Sequence, residues 1–189
     1  MFAWLFLRLL NWEASAPENS PERVIKSLAV QEGQTIADIG AGGGYFTLEF
    51  AGQVGNTGKV YAVDIKLRYL DFIKRQSKKR GLDNIVFVLA TGDEMKLPEA
   101  GLDLVFARNV FHHLHESAKY FQNLKRFLKP TGKVAIIEQK PKGRFSFVGM
   151  FKHYTSFDVI LREMEKAGYF LDGSFDFLPQ QTFTLFKAK

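Results

Sequence analysis

An apolar strand that runs directly into a cluster of glycines is the feature that most constrains how this chain can fold. Residues 36–47 read IADIGAGGGYFT, with four glycines among the five residues that begin at position 40 and an apolar segment on either side. A strand, a glycine turn and a helix present free backbone N–H groups and bare backbone to a ligand. The pattern therefore predicts a ligand-binding turn in an α/β fold.

The order of the glycines distinguishes between two kinds of ligand. A dinucleotide-binding turn follows G-x-G-x-x-G/A, and here Tyr45 stands at the third small position, so that pattern fails. The residues fit D-x-G-x-G-x-G, beginning at Asp38. A carboxylate at this place repels a pyrophosphate but can pair with a cationic amino-acid group. A nicotinamide-dependent oxidoreductase is therefore disfavoured.

Strand and helix patterns alternate along most of the chain. Predicted strands cover residues 34–39, 58–63, 84–89, 102–107 and 132–138, and predicted helices cover 45–52, 66–80, 116–128 and 155–167. From Gly168 onward the chain reads as two strands around residues 178–180, and so short a connection requires an antiparallel pair. We predict an α/β fold with a Rossmann-like, doubly wound, mostly parallel seven-stranded sheet and a terminal antiparallel hairpin.

The glycine turn and three later segments resemble the class I S-adenosylmethionine-dependent methyltransferases, in the order that this family shows. The turn resembles motif I, and the later segments are VYAVDIKLRYLDFIK (60–74), LATGDEMKLPEAGLDLVFA (89–107) and FLKPTGKVAIIE (127–138). The resemblance runs from about residue 22 to the end, and it is nearest to the branch of ubiquinone/menaquinone-biosynthesis and arsenite methyltransferases. It implies S-adenosyl-L-methionine as the cofactor and S-adenosyl-L-homocysteine as the product.

This resemblance also implies the residues that contact the cofactor. Asp38 would hold the methionine amino group, Asp64 the ribose and Asp93 the adenine amino group. The predicted cofactor-binding set is Asp38, Gly40, Ala41, Gly42, Gly44, Asp64, Ile65, Gly92, Asp93, Glu94, Arg108 and Asn109. Position alone supports Asp64, since a carboxylate at the end of that strand can accept two hydrogen bonds from a ribose diol. Helix capping at Asp64 and a simple turn at Asp93 are the alternatives.

Three histidines lie in four positions after the fourth predicted strand, at positions 112, 113 and 115. Adjacent histidines point apart and no second group of ligands accompanies them, so we expect no metal site. Imidazole titrates near neutral pH, which makes His112 and His113 candidates for lining the methyl-transfer pocket or accepting a substrate proton. A structural role at a helix start is the alternative. Tyr45 is the third candidate catalytic residue.

The composition disfavours several kinds of methyl transfer. The chain has no cysteine, whereas cytosine C5 methylation and arsenite methylation in this superfamily depend on cysteine. Residues 109–112 do not match the N-P-P-[FY] motif of enzymes that methylate amino groups of bases or glutamine.

The net charge of +6 fits an anionic partner or simply a solvated basic surface. We predict an enzyme that methylates a small molecule; a nucleic-acid methyltransferase and a non-catalytic cofactor-binding module are the alternatives.

Residues 1–12, MFAWLFLRLLNW, are almost wholly apolar but too short for a bilayer span, which takes about 20 residues. They form a helix that packs on its own domain or a second subunit, an anchor in a membrane interface, or a cleaved leader. Residues 139–154 mix basic and aromatic side chains, as nucleic-acid grooves and membrane contacts do. Both segments favour an apolar or lipid-like acceptor.

The organisation that we predict has two parts. Residues 1–20 form the apolar helix and a linker, and residues 21–189 form the methyltransferase domain. We expect a cytoplasmic protein whose residues 1–12 contact a membrane or a second copy of the chain.

Overall fold

The computed structural model describes residues 2–91, 95–140 and 154–189, and the chain forms two compact units that divide after Pro98. Its described helices are α1 (Phe2–Ser15), α2 (Pro21–Leu28), α3 (Tyr45–Val54), α4 (Leu67–Arg80), α5 (Ser117–Leu124) and α6 (Phe157–Lys166). Its described strands are β1 (Thr35–Ile39), β2 (Lys59–Asp64), β3 (Ile85–Leu89), β4 (Leu102–Arg108), β5 (Leu128–Gln139), β6 (Tyr169–Phe175) and β7 (Gln181–Ala188). Short 3₁₀ turns lie at Pro17–Asn19, Phe111–His113 and Lys125–Phe127.

The seven strands of the described residues form a mixed sheet in the order β3-β2-β1-β4-β5-β7-β6. The pairs β1–β2, β2–β3 and β4–β5 are parallel, and β7 pairs antiparallel with both β5 and β6. This arrangement confirms the predicted mostly parallel sheet with a terminal antiparallel hairpin.

The first unit places the glycine turn through the register of its strands. β1 and β2 pair so that Ile39 lies opposite Val63. Both strands are almost continuously apolar and buried, as parallel strands covered on both faces are. Because the two strands end together, the turn that follows Ile39 lies beside Asp64, the last residue of β2.

The second unit brings three strand ends together at one edge of its sheet. Arg108 at the end of β4 pairs with Ile137 of β5, and Gln139 at the end of β5 pairs with Gln181 at the start of β7. Polar residues at these ends are therefore neighbours, although they are far apart in the sequence.

Some predicted helix boundaries are wrong. The first helix continues past residue 12 to Ser15, and the chain becomes extended at Ala16 because the residue before a proline is disfavoured in the helical region. The helix predicted at 116–128 ends at Leu124, a 3₁₀ turn follows, and β5 already begins at Leu128 rather than at 132. Lys129, which precedes Pro130, is likewise kept out of a helical conformation.

The starts of two helices lack a side-chain cap. Ser20 precedes α2 and Pro21 opens that helix, but the Ser20 backbone is left-handed and its hydroxyl donates to the Pro17 carbonyl at 3.4 Å. It therefore does not cap the helix with its side chain. The helix predicted to start at Thr155 begins at Phe157, after an extended Ser156.

Within the part of the chain that the structure describes, none of the helices is both long enough and apolar enough to cross a bilayer.

Candidate active site

The glycine turn of the first unit folds back onto the end of β2. The N–H groups of Gly40 and Ala41 both donate to the Val63 carbonyl, at 2.8 and 3.0 Å. Positive φ angles of 68°, 55° and 81° occur at the first, second and last glycines of the D-x-G-x-G-x-G pattern, namely Gly40, Gly42 and Gly44. Side-chain-bearing residues adopt this backbone region only at a cost, which accounts for glycine at these three positions.

Close packing accounts for glycine at two neighbouring positions of the turn. A Cβ atom on Gly44 would lie 2.6 Å from Cγ1 of Ile73 in α4. On Gly43 it would lie 2.2 Å from Oδ1 of Asn11 and 2.6 Å from the Leu7 carbonyl, both in α1. The helix α1 therefore lies directly against the turn. Gly43, which the predicted cofactor-binding set omits, is the residue that permits this approach.

A side chain of α1 also caps the helix that follows the turn. Oδ1 of Asn11 accepts a hydrogen bond of 3.1 Å from the N–H of Tyr45, the first residue of α3. The residue at the N-cap position, Gly44, has no side chain that could serve this donor. Asn11 could not be predicted as this cap, because capping residues normally lie next to their helix and Asn11 lies 34 positions before Tyr45.

Asp64 is held at the end of β2 by two backbone donors. Its side-chain oxygens accept hydrogen bonds of 3.0 Å from the N–H groups of Gly42 and Lys66, and the residue is only 7% exposed. Burial raises the pKa of this carboxyl, against the lowering effect of backbone hydrogen bonds from Gly42, Lys66 and Ile65 and of the Lys66 charge. A carboxylate offers about four acceptor positions, so acceptor capacity remains for a ligand, and the predicted contact with a ribose stays a prediction.

An exposed apolar surface adjoins this carboxylate. Ile65 is 70% exposed directly after Asp64, and Leu67 at the start of α4 is 59% exposed. An isolated exposed leucine needs no explanation, but two large apolar side chains beside a buried carboxylate suit a flat apolar ring. Together with the turn, these residues fit the adenosine part of S-adenosylmethionine, as the resemblance implies for Asp64 and Ile65.

The other predicted residues of the first unit have structural contacts as well. Asp38 is 4% exposed and accepts a short hydrogen bond from the Thr47 hydroxyl, which ties β1 to α3. Burial and the nearby charges of Glu49 and Glu22 raise the pKa of Tyr45. A neutral phenol suits a hydrogen-bond donor better than a base. The contacts of Asp38 and Tyr45 with a ligand stay predictions.

Three predicted cofactor-binding residues, Gly92, Asp93 and Glu94, lie outside the described residues. So do residues 141–153, which include most of the basic and aromatic segment after β5. The proposed contact between Asp93 and adenine therefore stays a prediction.

A buried acid and a histidine are paired in the second unit. Nδ1 of His112 lies 2.9 Å from Oε1 of Glu138, the other glutamate oxygen accepts from the His112 backbone N–H at 3.3 Å, and Glu138 is fully buried. A carboxylate on Nδ1 selects the tautomer that carries its proton there, which leaves Nε2 as a proton acceptor. The arrangement is that of a general base held by a second residue.

The neighbouring histidines differ from His112 in burial. The His113 ring lies against that of His112, with 4.0 Å between the ring centroids and 47° between the ring planes, and His113 is exposed, as is His115. Among the described residues, none of the groups of histidine and acidic side chains could hold a metal ion.

Glu138 is not among the predicted site residues, although the sequence contains a signal for it. The segment AIIE ends an apolar strand with an acidic residue, as VYAVD does at Asp64.

Three amide side chains adjoin this pair at the strand ends. Nε2 of Gln181 donates to Oδ1 of Asn109 at 3.2 Å, and Asn109 has a positive φ of 55° as the chain leaves β4. The side-chain oxygens of Gln139 and Gln181 are buried and have no hydrogen-bond partner within the described residues. Buried acceptors are normally satisfied, so these two atoms are suited to a donor from a ligand or a bound water. Arg108, also in the predicted set, is half-buried at the end of β4.

The fold and the turn define a class I S-adenosylmethionine-dependent methyltransferase. The model of a family described as a methyltransferase domain matches residues 31–156. The chain therefore belongs to the methyltransferase domain family, and S-adenosyl-L-methionine is the cofactor of this class.

Sequence similarity to curated proteins supports this assignment. The chain is 29% identical over 110 residues to the ubiquinone/menaquinone biosynthesis C-methyltransferase UbiE of Escherichia fergusonii, a match that covers 58% of this chain and 44% of that protein. The match to the same enzyme of Salmonella arizonae has the same extent. The chain thus spans less than half the length of these curated relatives.

Solved structures share the fold. A SAM-dependent methyltransferase from Aquifex aeolicus is 28% identical, with a TM-score of 0.81 over 88% of both chains. The trans-methyltransferase CalH, solved as a complex with SAH, is 19% identical, with a TM-score of 0.69 over 82% of this chain and 51% of that one. The second likeness shows the fold alone.

Proposed function

We propose that this protein transfers the methyl group of S-adenosyl-L-methionine to a small, apolar or lipid-like acceptor that must lose a proton in the reaction. The observation that carries this proposal is the contact between His112 and the buried Glu138. A methyltransferase whose acceptor is already nucleophilic needs only alignment of the reacting atoms. An imidazole fixed by a buried carboxylate adds a group that can remove this proton.

The first unit supplies the cofactor-binding residues in this proposal. The glycine turn gives the cofactor access to backbone, Asp64 accepts from the ribose hydroxyls, and Ile65 covers one face of the adenine. The cofactor itself supplies a methyl group that its sulfonium has already activated. The protein's residues therefore have to bind and orient the cofactor rather than activate it.

The second unit supplies the residues that handle the acceptor. Nε2 of His112 takes the acceptor's proton, and Glu138 stabilises the imidazolium that forms. The free oxygens of Gln139 and Gln181 are suited to a hydroxyl donor of the acceptor. An acceptor with two phenol-like or enol-like hydroxyls, one for each role, meets both requirements. The curated relatives, named as C-methyltransferases of ubiquinone and menaquinone biosynthesis, support an apolar acceptor of this kind.

The test is transfer of a labelled methyl group from S-adenosylmethionine to a panel of acceptors: alkylated phenols and quinols, fatty acids and RNA. We expect label in a phenol or quinol. His112→Gln should lower kcat by about 100-fold or more, the usual contribution of a general base, with cofactor affinity unchanged. His115→Gln is the matched control, since His115 is an exposed histidine of the same segment.

Two results would contradict the proposal. Tight cofactor binding without transfer to any acceptor would indicate a non-catalytic binding module. Transfer to RNA alone, with affinity for RNA that falls steeply as salt increases, would indicate a nucleic-acid methyltransferase.

A further inference from the structure

The helix α1 is apolar on both sides, yet only one side is covered. Its inner side chains Leu7 and Ala14 are 0% and 6% exposed. The structure describes eight large apolar residues that are exposed, and four of them lie on α1: Leu5 at 58%, Phe6 at 49%, Leu9 at 53% and Trp12 at 69%. A helix that is apolar all round is normally covered on all sides.

The exposed residues form one continuous surface. Leu5, Leu9 and Trp12 are spaced at i, i+4 and i+7, so they lie in a row along one face of α1, and Phe6 widens that row. The inner face is fixed by packing, since the Trp4 ring lies 5.4 Å from that of Phe72 in α4. The outer row is therefore held outward. We call these four residues the α1 outer face.

Positive charge borders the α1 outer face. An open cleft of about 570 Å³ is lined by Trp4, Leu5, Arg8 and Arg75. The Arg75 guanidinium lies over the Trp4 ring, 4.6 Å from its centroid, and both arginines are exposed. The helix α4, which packs against α1, carries one acidic residue, Asp71, and these exposed cations: Arg68, Lys74, Arg75, Lys78, Lys79 and Arg80.

We propose that the α1 outer face docks on an anionic lipid membrane, and that the cleft between Arg8 and Arg75 receives a lipid phosphate. Leucine and aromatic side chains on one helix face, bordered by basic residues, fit the boundary between headgroups and acyl chains. Arginine can direct its charged end to a phosphate while its stem lies along apolar surface. The docking does not depend on which acceptor the enzyme methylates.

Charge favours a membrane over a second copy of the chain as the occupant. In a two-fold dimer the same surface meets itself, so Arg8 and Arg75 of both copies would be brought together without acidic residues among the cleft lining. An anionic membrane complements the same residues.

The experiment is co-sedimentation of the full chain with vesicles of phosphatidylcholine alone or mixed with phosphatidylglycerol. We expect binding to the anionic vesicles that weakens as salt increases. The double variant Leu9→Ser with Trp12→Ser should bind them about tenfold less or weaker still, since two large apolar side chains no longer enter the membrane. The double variant Arg8→Gln with Arg75→Gln should lose the preference for anionic vesicles.

Matched controls come from the second unit. Phe170→Ser removes an apolar side chain that is 43% exposed, and Lys119→Gln with Arg162→Gln removes two exposed charges. Both controls should bind as the wild type does. All variants should keep the wild-type melting temperature and cofactor affinity, which separates docking from the proposed catalytic function.

Three results would overturn the proposal. One is that the wild type does not bind anionic vesicles. Another is that the outer-face variant and the Phe170 control bind equally well. The third is a dimer in sedimentation velocity that Leu9→Ser with Trp12→Ser dissociates, which would make a second copy of the chain the occupant.

Discussion

The surroundings of Asp64 disfavour the ionised form of its carboxyl group. Burial raises its pKa, and the two backbone hydrogen bonds only partly offset that effect. With a raised folded-state pKa, the group favours the folded state at acid pH, and this contribution is lost as the pH rises through that pKa. At neutral pH the ionised Asp64 therefore opposes folding slightly, as a residue retained for binding rather than for stability can do.

Tyr169 is a residue whose hydroxyl we expect to matter for stability. It is fully buried, burial raises its pKa, and its hydroxyl donates to the Phe121 carbonyl at 2.9 Å. That carbonyl is among the last four of α5, which have no partner within the helix. Tyr169→Phe should lower the free energy of unfolding in urea by about 1–3 kcal/mol, because a buried acceptor is left unsatisfied.

The control for this prediction is Tyr61→Phe, a half-buried tyrosine of β2. We expect little change there. Equal losses at the two positions would show that the hydrogen bond to Phe121 contributes nothing specific.

Among single residues, the sequence predicted those that lie within a local pattern and missed those whose partners are distant in the sequence. Asp64 and Ile65 were predicted from one segment, and Asp64 accepts a hydrogen bond from Gly42 of the glycine turn; their contacts with a cofactor stay predictions. Glu138 and Asn11 were missed because their partners, His112 and Tyr45, are 26 and 34 positions away. Glu138 carried a signal of its own, as an acidic residue after an apolar run, but only the three-dimensional register shows its pairing with His112.

The contact between α1 and the glycine turn leads to a prediction about an element. Gly43→Ala would place a Cβ atom 2.2 Å from Asn11 and 2.6 Å from the Leu7 backbone carbonyl. Because a backbone atom is involved, α1 must shift as a whole. We expect a lower melting temperature and faster proteolysis within α1.

Gly52→Ala is the matched control for that variant. Gly52 lies inside α3 with nothing near its added Cβ. The substitution there should raise stability by about 1 kcal/mol, from helix propensity alone. If Gly43→Ala stabilises the protein to the same extent, α1 does not lie on the turn as described.

The strands β5, β6 and β7 are joined by a charge cluster. Lys133 and Lys187 lie directly opposite each other, and each Nζ lies 2.8 Å from an oxygen of Asp172 on β6. These contacts lower the pKa of Asp172. Two like charges in opposite positions destabilise a sheet, and the carboxylate offsets that repulsion.

We therefore expect Asp172→Ala to lower the melting temperature at neutral pH. A lowered folded-state pKa gives stability that is present above the unfolded pKa, near 4, and lost as the pH falls below it. The difference between wild type and variant should shrink in acid. A difference that stays constant with pH would show that the charge of Asp172 is not its cause.

The middle of each helix and strand could be predicted from the sequence, but the residues at which it begins and ends could not. Continuous apolar runs predicted the strands β1 and β2, and the pattern of apolar and charged residues predicted the helix α4. Ends depend on weaker local effects: the residue before Pro17 stops α1, and a 3₁₀ turn follows α5 in place of the last predicted helical turn.

The strand order and direction of the sheet could be predicted from the alternation of strands and helices and from the length of one connection. The short connection at residues 178–180 predicted an antiparallel final pair, and β7 pairs in that sense with both β5 and β6. This pairing distinguishes the fold from a simple dinucleotide-binding sheet and agrees with the failure of the dinucleotide pattern at Tyr45. The division at residue 20 between a helix-plus-linker and a methyltransferase domain stays a prediction.

Calorimetric titration of S-adenosylhomocysteine into wild type and Asp64→Asn, over a series of pH values, measures whether the Asp64 carboxylate holds the cofactor. The wild type should bind, and more weakly as acid protonates Asp64, beginning above the ordinary aspartate range because its pKa is raised. Asp64→Asn should bind at least about 100-fold more weakly at neutral pH, since each hydrogen bond to a charged group contributes about 1.5–3 kcal/mol. No binding to the wild type, or equal binding by the variant, would contradict the account.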